Sequence, residues 1–263
     1  MPIIMISRGS HSRGKEIAEK VANKLGYKCI DRETLIDASA DYHNIPEVKL
    51  TQAIEDPPSF FDRFTRVKEK YITYIQSELL KYLKEDNIVY HGFAGHFFVK
   101  DISHILKVRI IADIEDRVKV VMERDKISEK DSYQFLKEID SQRKKWSKNL
   151  YGIDVGNPVL YDIVLHIQKT ITVDHAVDII CKTVKSKQFQ TTTESQKAIE
   201  DLSFASLVKV ALIDVGYETE VYADGGDILV ETTALLSKEN NEDIKKVVEK
   251  IPGVHKITVQ TKS

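Results

Sequence analysis

Through the first 185 residues, short apolar runs alternate with longer stretches in which apolar residues recur every three or four positions. Residues 3–7 form a short apolar run, as a buried strand does. Ile17, Ala18, Val21, Ala22 and Leu25 then fall at helical spacing, and Gly26 supplies a C-terminal stop. Residues 27–30 read as the next strand. Phe64, Val67, Tyr71, Ile75, Leu79 and Tyr82 mark a long amphipathic helix. Residues 87–90 and 108–112 read as buried strands, and 115–124 and 129–146 as charged helices. A strand over 161–167 and an amphipathic helix over 173–184 follow. Strand-then-helix order repeated in this way predicts an α/β domain over residues 1–185, a parallel sheet with helices on both faces.

The pattern changes near Ser186. Residues 186–196 are polar and without periodicity, which predicts a linker. Beyond it Ala198, Leu202, Ala205, Val208 and Leu212 make one helix face. Residues 218–223 and 228–232 read as a hairpin around Asp224-Gly225-Gly226. Ile244, Val247, Val248 and Ile251 form another helix face, Pro252-Gly253 a turn, and residues 254–260 a last alternating strand. Residues 197–263 therefore predict a small α+β domain of order helix, strand, strand, helix, strand. Asp224-Gly225-Gly226-Asp227 is a turn rather than a calcium loop, because the remaining ligand positions of such a loop are absent.

Composition narrows the function classes. A chain of 263 residues buries one sizeable core and a second, smaller one. The formal net charge of -2 gives no electrostatic case for nucleic-acid binding. No run approaches the roughly 18 apolar residues of a membrane span. No basic segment followed by a long apolar one opens the chain, so a cytoplasmic protein is expected. Cys29 and Cys181 lie far apart without metal-ligand spacing and read as two reduced core thiols.

Gly9-Ser10-His11-Ser12-Arg13-Gly14-Lys15 reads G-x-x-x-x-G-K, after an apolar run and at the start of a helical pattern. Such a loop wraps backbone N–H groups around phosphates at a helix N-terminus, and the lysine adds a point charge. Glu16 stands where a Ser or Thr usually holds Mg²⁺.

Ile4-Met5-Ile6-Ser7-Arg8-Gly9, Gly14-Lys15-Glu16-Ile17-Ala18-Glu19-Lys20, Leu25-Gly26-Tyr27 and Asp31-Arg32-Glu33 together resemble the cytidylate-kinase-like family. These are P-loop nucleoside monophosphate kinases and their relatives, and the resemblance extends through Val184. In that branch a Glu at the position of Glu16 is ordinary. The resemblance implies a five-stranded parallel sheet, ATP with Mg²⁺ at the loop, a second nucleotide beside it and an arginine-bearing lid. Gly9, Ser10, His11, Ser12, Arg13, Gly14, Lys15 and Glu16 would hold the donor, with Arg117 beside them. Lys15, Arg124 and Arg143 would supply catalytic cations, since phosphoryl transfer is mostly positioning and charge neutralisation. Arg117 and Arg124 are two helical turns apart and share a face. Asp31, Arg32, Asp140 and Arg143 would form the acceptor site, Asp140 and Arg143 matching a lid-edge D-x-x-R. Two plainer readings stand beside these. Asp31 could serve as a helix N-cap, and the charged residues from Glu123 to Lys145 could form a solvated, salt-bridged face. Arg63 and Arg66 are further candidates for an acceptor phosphate.

The acceptor side departs from the family. After the third strand, cytidylate kinases carry Gly-Arg; here the stretch is His91-Gly92-Phe93-Ala94-Gly95-His96. Phe93 replaces the arginine, and no Asp ends the strand as a metal partner. His91 and His96 lack a third ligand at sensible spacing, so no metal site is expected from the protein itself. Leu136-Lys137-Glu138-Ile139, before Asp140, is poorer in arginine than the family pattern.

From about Glu194 the chain resembles a BON domain, on Ala198-Ile199, the hairpin and Val247-Val248-Glu249-Lys250-Ile251-Pro252-Gly253-Val254. Glu231-Thr232-Thr233-Ala234 departs from it, lacking the usual glycine. The resemblance implies a module that binds a small ligand or a partner protein; a fold-completing or homo-oligomer-forming role is the plainer reading. Two functions follow for the whole chain. One is an ATP-dependent phosphotransferase acting on a nucleoside monophosphate or similar small acceptor, regulated by the C-terminal module. The other is a non-catalytic nucleotide-binding regulator.

Overall fold

Each of the five apolar runs read as strands in residues 1–185 is a strand of one sheet. The computed structural model describes residues 2–55, 65–92, 95–99, 101–167, 171–232 and 237–261. β1 (Ile3–Arg8) leads into α1 (Gly14–Leu25), whose Ile17, Ala18, Val21 and Ala22 are buried. Gly26 ends α1 at φ 70°, its N–H bonded to the Ala22 carbonyl, a conformation glycine adopts without cost. β2 (Lys28–Asp31) follows, then α2 (Arg32–His43), α3 (Glu47–Glu55) and α4 (Thr65–Leu83). β3 (Ile88–His91), the single turn α5 (Gly95–Phe98), β4 (Ile105–Ala112), α6 (Ile114–Asp125), α7 (Glu129–Tyr151), β5 (Ile163–Ile167) and α8 (Val173–Thr183) complete the region.

The strands are parallel, in order β2-β3-β1-β4-β5. Alternate residues of β1 and β4, namely Ile4, Ile6, Leu106, Val108 and Ile110, pack with α1 and α8 into one core. The register sets Ile6 beside His91, His91 beside Asp31, and Ser7 beside Arg109. The carboxyl ends of β1, β2 and β3 thus present Arg8, Asp31 and His91 along one edge, where open α/β sheets gather ligands. Cys181 is buried, but Cys29 is exposed rather than core: β2 is an edge strand, with solvent beside it.

The chain forms two compact units. The second joins the C-terminal elements to residues 63–84, so that α4 groups with the C-terminal elements rather than with the sheet around it in sequence. α9 (Thr193–Asp214), β6 (Thr219–Asp224), β7 (Asp227–Thr232), α10 (Lys238–Val248) and β8 (Lys256–Thr261) follow in the order helix, strand, strand, helix, strand. The sheet order is β6-β7-β8, antiparallel then parallel. Val208, Leu212, Ile228, Val230, Ile244 and Val248 form its core. The hairpin turns at Gly225 and Gly226, φ 55° and 96°. α4 lies along α9, where the Tyr74 hydroxyl donates to Asp214 and Lys70 pairs with the same carboxylate at 2.9 Å.

The aperiodic stretch read as a linker carries local structure. Phe189 is buried in the first unit's core, and Thr192 and Ser195 cap α9 reciprocally, so this helix starts at Thr193. Among the described residues, no helix is long and apolar enough to cross a membrane.

Candidate functional site

The loop between β1 and α1 is held by its own serine. The Ser12 hydroxyl contacts the Gly9 carbonyl at 2.9 Å and the Ile110 carbonyl at 3.0 Å, and the Gly9 N–H donates to Ile110. His11 and Arg13 take left-handed backbone conformations, φ 58° and 62°. Non-glycine residues in that region are uncommon, and alternating conformations of this kind build anion-binding concavities. Helices α2, α7, α8, α9 and α10 begin with a side chain bonded to their first N–H groups; α1, like α6, has no side-chain cap. Its positive end is open to an anion. Among the described residues, the buried Ser10 hydroxyl has no partner. Lys15 is largely exposed and touches Glu19 loosely at 3.8 Å. Glu16 turns toward Lys20 at 3.4 Å. Gly14 leaves room for Arg8: a β-carbon there would come within 2.6 Å of the Arg8 Cβ.

Arg117 and Arg124 do different things. Arg117 is buried under the loop; its Nε donates to the Ser10 carbonyl at 2.7 Å and its Nη2 meets Asp140 at 2.9 and 3.0 Å. α6 and α7 hold these two in place through Val118, Val121 and Leu136. Arg124 is exposed and forks onto Asp125, at 2.5 and 2.6 Å. Burial, with Arg124 and Arg143 nearby, pushes the His11 imidazole down to about 4, so it is neutral beside the loop.

Arg143 leans over β1, its Nη1 donating to the Arg8 carbonyl at 3.4 Å. Burial and the neighbouring Arg8 bring its guanidinium down to about 10. Asp31 caps α2, accepting from the Thr34 N–H at 2.9 Å and hydroxyl at 2.6 Å. Arg32 pairs with Glu55 at 2.6 Å and Glu33 at 2.8 Å. The structure thus brings Arg143 and Asp140 to the loop and engages Asp31 and Arg32 with neighbouring residues. Arg63, Phe93 and the side chain of Arg66 lie outside the described residues.

His91 ends β3. Its Nδ1 is buried with no partner among the described residues, and burial together with Arg8 pushes the ring down to about 4. Among the described residues, no three His, Cys, Asp or Glu side chains gather to hold a metal. The motif reading overlooked Arg8 and Arg109, both of which line a cavity beside the loop. Arg8 closes the apolar run of β1 and Arg109 sits inside that of β4; a charged residue in such a strand is the available signal.

A five-stranded parallel sheet of this order, with an uncapped helix behind a G-x-x-x-x-G-K loop, defines a P-loop kinase-type fold. A solved uncharacterized protein from Eubacterium ventriosum shares it, with a TM-score of 0.54 and 22% identity over 71% of this chain and all of that one. The model of the cytidylate kinase-like family matches residues 3–169, and the chain belongs to that family. The cytidylate kinase of Sulfolobus acidocaldarius is 27% identical over 186 residues, 70% of this chain and 94% of that one. The cytidylate kinase of Thermococcus kodakarensis is 28% identical over 106 residues, 40% of this chain. The chain spans about half the length of that relative, 54%.

Proposed function

We propose that this protein binds ATP at residues 9–16 and transfers its γ-phosphoryl group to a small acceptor, a nucleoside monophosphate or a similar molecule. The observation that carries this reading is the loop itself. An uncapped α1 N-terminus, an unpartnered Ser10 hydroxyl and a loosely held Lys15 converge where phosphates would sit. Backbone N–H groups of the loop orient the phosphates and Lys15 neutralises charge on them. Arg117 fixes the loop's backbone rather than touching the donor. Arg143, which donates to the Arg8 carbonyl at the end of β1, would supply a cation for transfer, and Arg124 would contribute once it leaves Asp125. Asp31, Arg32 and Asp140 border the acceptor side. Mg²⁺ would neutralise phosphate charge when it accompanies ATP. The described carboxylates build no site of their own for it, so no step is assigned to it.

The second reading is a nucleotide-binding regulator without transfer. Phe93 and the neutral His91 favour it, because each missing guanidinium removes a bidentate phosphate contact. We take the second unit as a ligand- or partner-binding module of BON-like element order. A transfer assay separates the readings. Full-length protein with ATP, Mg²⁺ and a panel of nucleoside monophosphates should give stoichiometric acceptor phosphorylation that Lys15→Ala abolishes. ATP binding with no transfer to any acceptor would favour the regulator.

A further inference from the structure

Beside the phosphate loop lies a cavity of about 190 Å³. Two ion pairs stand on its wall, Arg117–Asp140 and Lys144–Asp154, each at 2.9 Å. Both wall carboxylates are therefore matched, while Arg8, Arg109 and Arg143 also line the space. The excess charge is cationic.

Arg109 sets the chemistry. It rises from β4 beside Ser7 of β1 and Val164 of β5. Its Nη1 donates to the Tyr161 hydroxyl at 3.2 Å and, more weakly, to Ser7 Oγ at 3.4 Å. Its guanidinium carbon lies 5.5 Å from the Tyr161 ring centroid. The Tyr161 hydroxyl donates to the Val155 carbonyl at 2.8 Å and meets His96 Nε2 at 3.2 Å, so it is itself fixed. Burial, with Arg109 next to it, pushes His96 down to about 3, so that ring carries no charge. Among the described residues, no carboxylate comes within ion-pair distance of Arg109. A guanidinium has five N–H donors in a rigid fork, and the contacts at Nη1 occupy one arm. Held in orientation yet not neutralised, it is a receptor for an oxyanion.

We propose that this cavity, which borders the phosphate loop at Gly9, is an anion subsite in which Arg109 binds a phosphate group. The volume falls below the roughly 300–1,000 Å³ of a pocket that encloses a whole small molecule. The subsite therefore takes a charged end. On the phosphotransferase reading, on which this assignment rests, that end belongs to the acceptor. Free phosphate has the same chemistry.

Titration of the full chain with inorganic phosphate tests this, followed by calorimetry in wild type, Lys15→Ala and Arg109→Met. Binding should persist in Lys15→Ala and weaken about tenfold or more in Arg109→Met, the size expected for a lost charged hydrogen bond. An unchanged curve in Arg109→Met, or no phosphate binding to wild type, overturns the proposal. If Arg109→Met does not melt cooperatively, Tyr161→Phe, which keeps the ring and removes the orienting hydroxyl, should still weaken phosphate severalfold; an unchanged affinity there overturns it too. CMP competing for phosphate in wild type assigns the subsite to the acceptor. Phosphate binding undisturbed by CMP but lost in Arg109→Met assigns it to free phosphate. Failure of the phosphotransferase reading shows separately, in the Lys15→Ala response to ATP.

Discussion

At the phosphate loop, Ser10 has an unspent hydroxyl and Lys15 a loose partner, while Ser12, Asp31 and Arg117 have committed their polar atoms to the protein. Arg117→Met removes a buried charged bond to the Ser10 carbonyl and strands Asp140. It should cost about 2–3 kcal/mol in a denaturant titration; a loss under about 0.5 kcal/mol would show that the pair does not hold the loop. The histidines predict acid sensitivity. His11 and His91 are pushed down to about 4 and His96 to about 3, each chiefly by burial. Unfolded imidazoles titrate near 6.5, so between about 6.5 and 4 the unfolded chain binds more protons and stability falls as pH drops. Thermal melts across that range should show the fall, and His96→Gln should make it shallower. Parallel curves for the two proteins would contradict the assignment.

Among the elements, α1 and its loop are the most constrained. A methyl at Gly14 improves helix propensity by up to about 1 kcal/mol but meets the stem of Arg8 at 2.6 Å, where overpacking costs about 1–3 kcal/mol. Gly14→Ala should therefore be net destabilising and should weaken ATP binding; a stabilised variant would show that Arg8 moves freely. The strands were legible because each is a short apolar run bounded by turns. α2 and α3 were not. Their buried residues, Leu35, Ile36, Ser39 and Ala40 in one and Leu50, Ala53 and Ile54 in the other, are too few to impose a helical period. α9 starts earlier than its apolar face suggests, because the Thr192–Ser195 capping box is made of residues that also make linkers. Loop chemistry was visible as a motif; the spending of Asp31 on Thr34 and of Arg117 on Ser10 depends on contacts that a spacing cannot report.

For the whole molecule, the grouping of α4 with the C-terminal elements was hidden by its place in the chain, between two strands of the first sheet. A truncated protein of residues 1–191 would leave the face of α4 that lies along α9 uncovered. It should melt well below the full chain or aggregate; a truncated protein with an unchanged melting temperature would show that α4 does not depend on α9. The proposed function rests on phosphates seated at the α1 N-terminus and Lys15. Calorimetric titration of the full chain with Mg·ATP reads that seat without requiring an acceptor. Wild type should bind one equivalent, and Lys15→Ala should weaken binding about tenfold or more while melting at the same temperature. No binding to wild type, or equal affinity in both proteins, would contradict a nucleotide site at the loop.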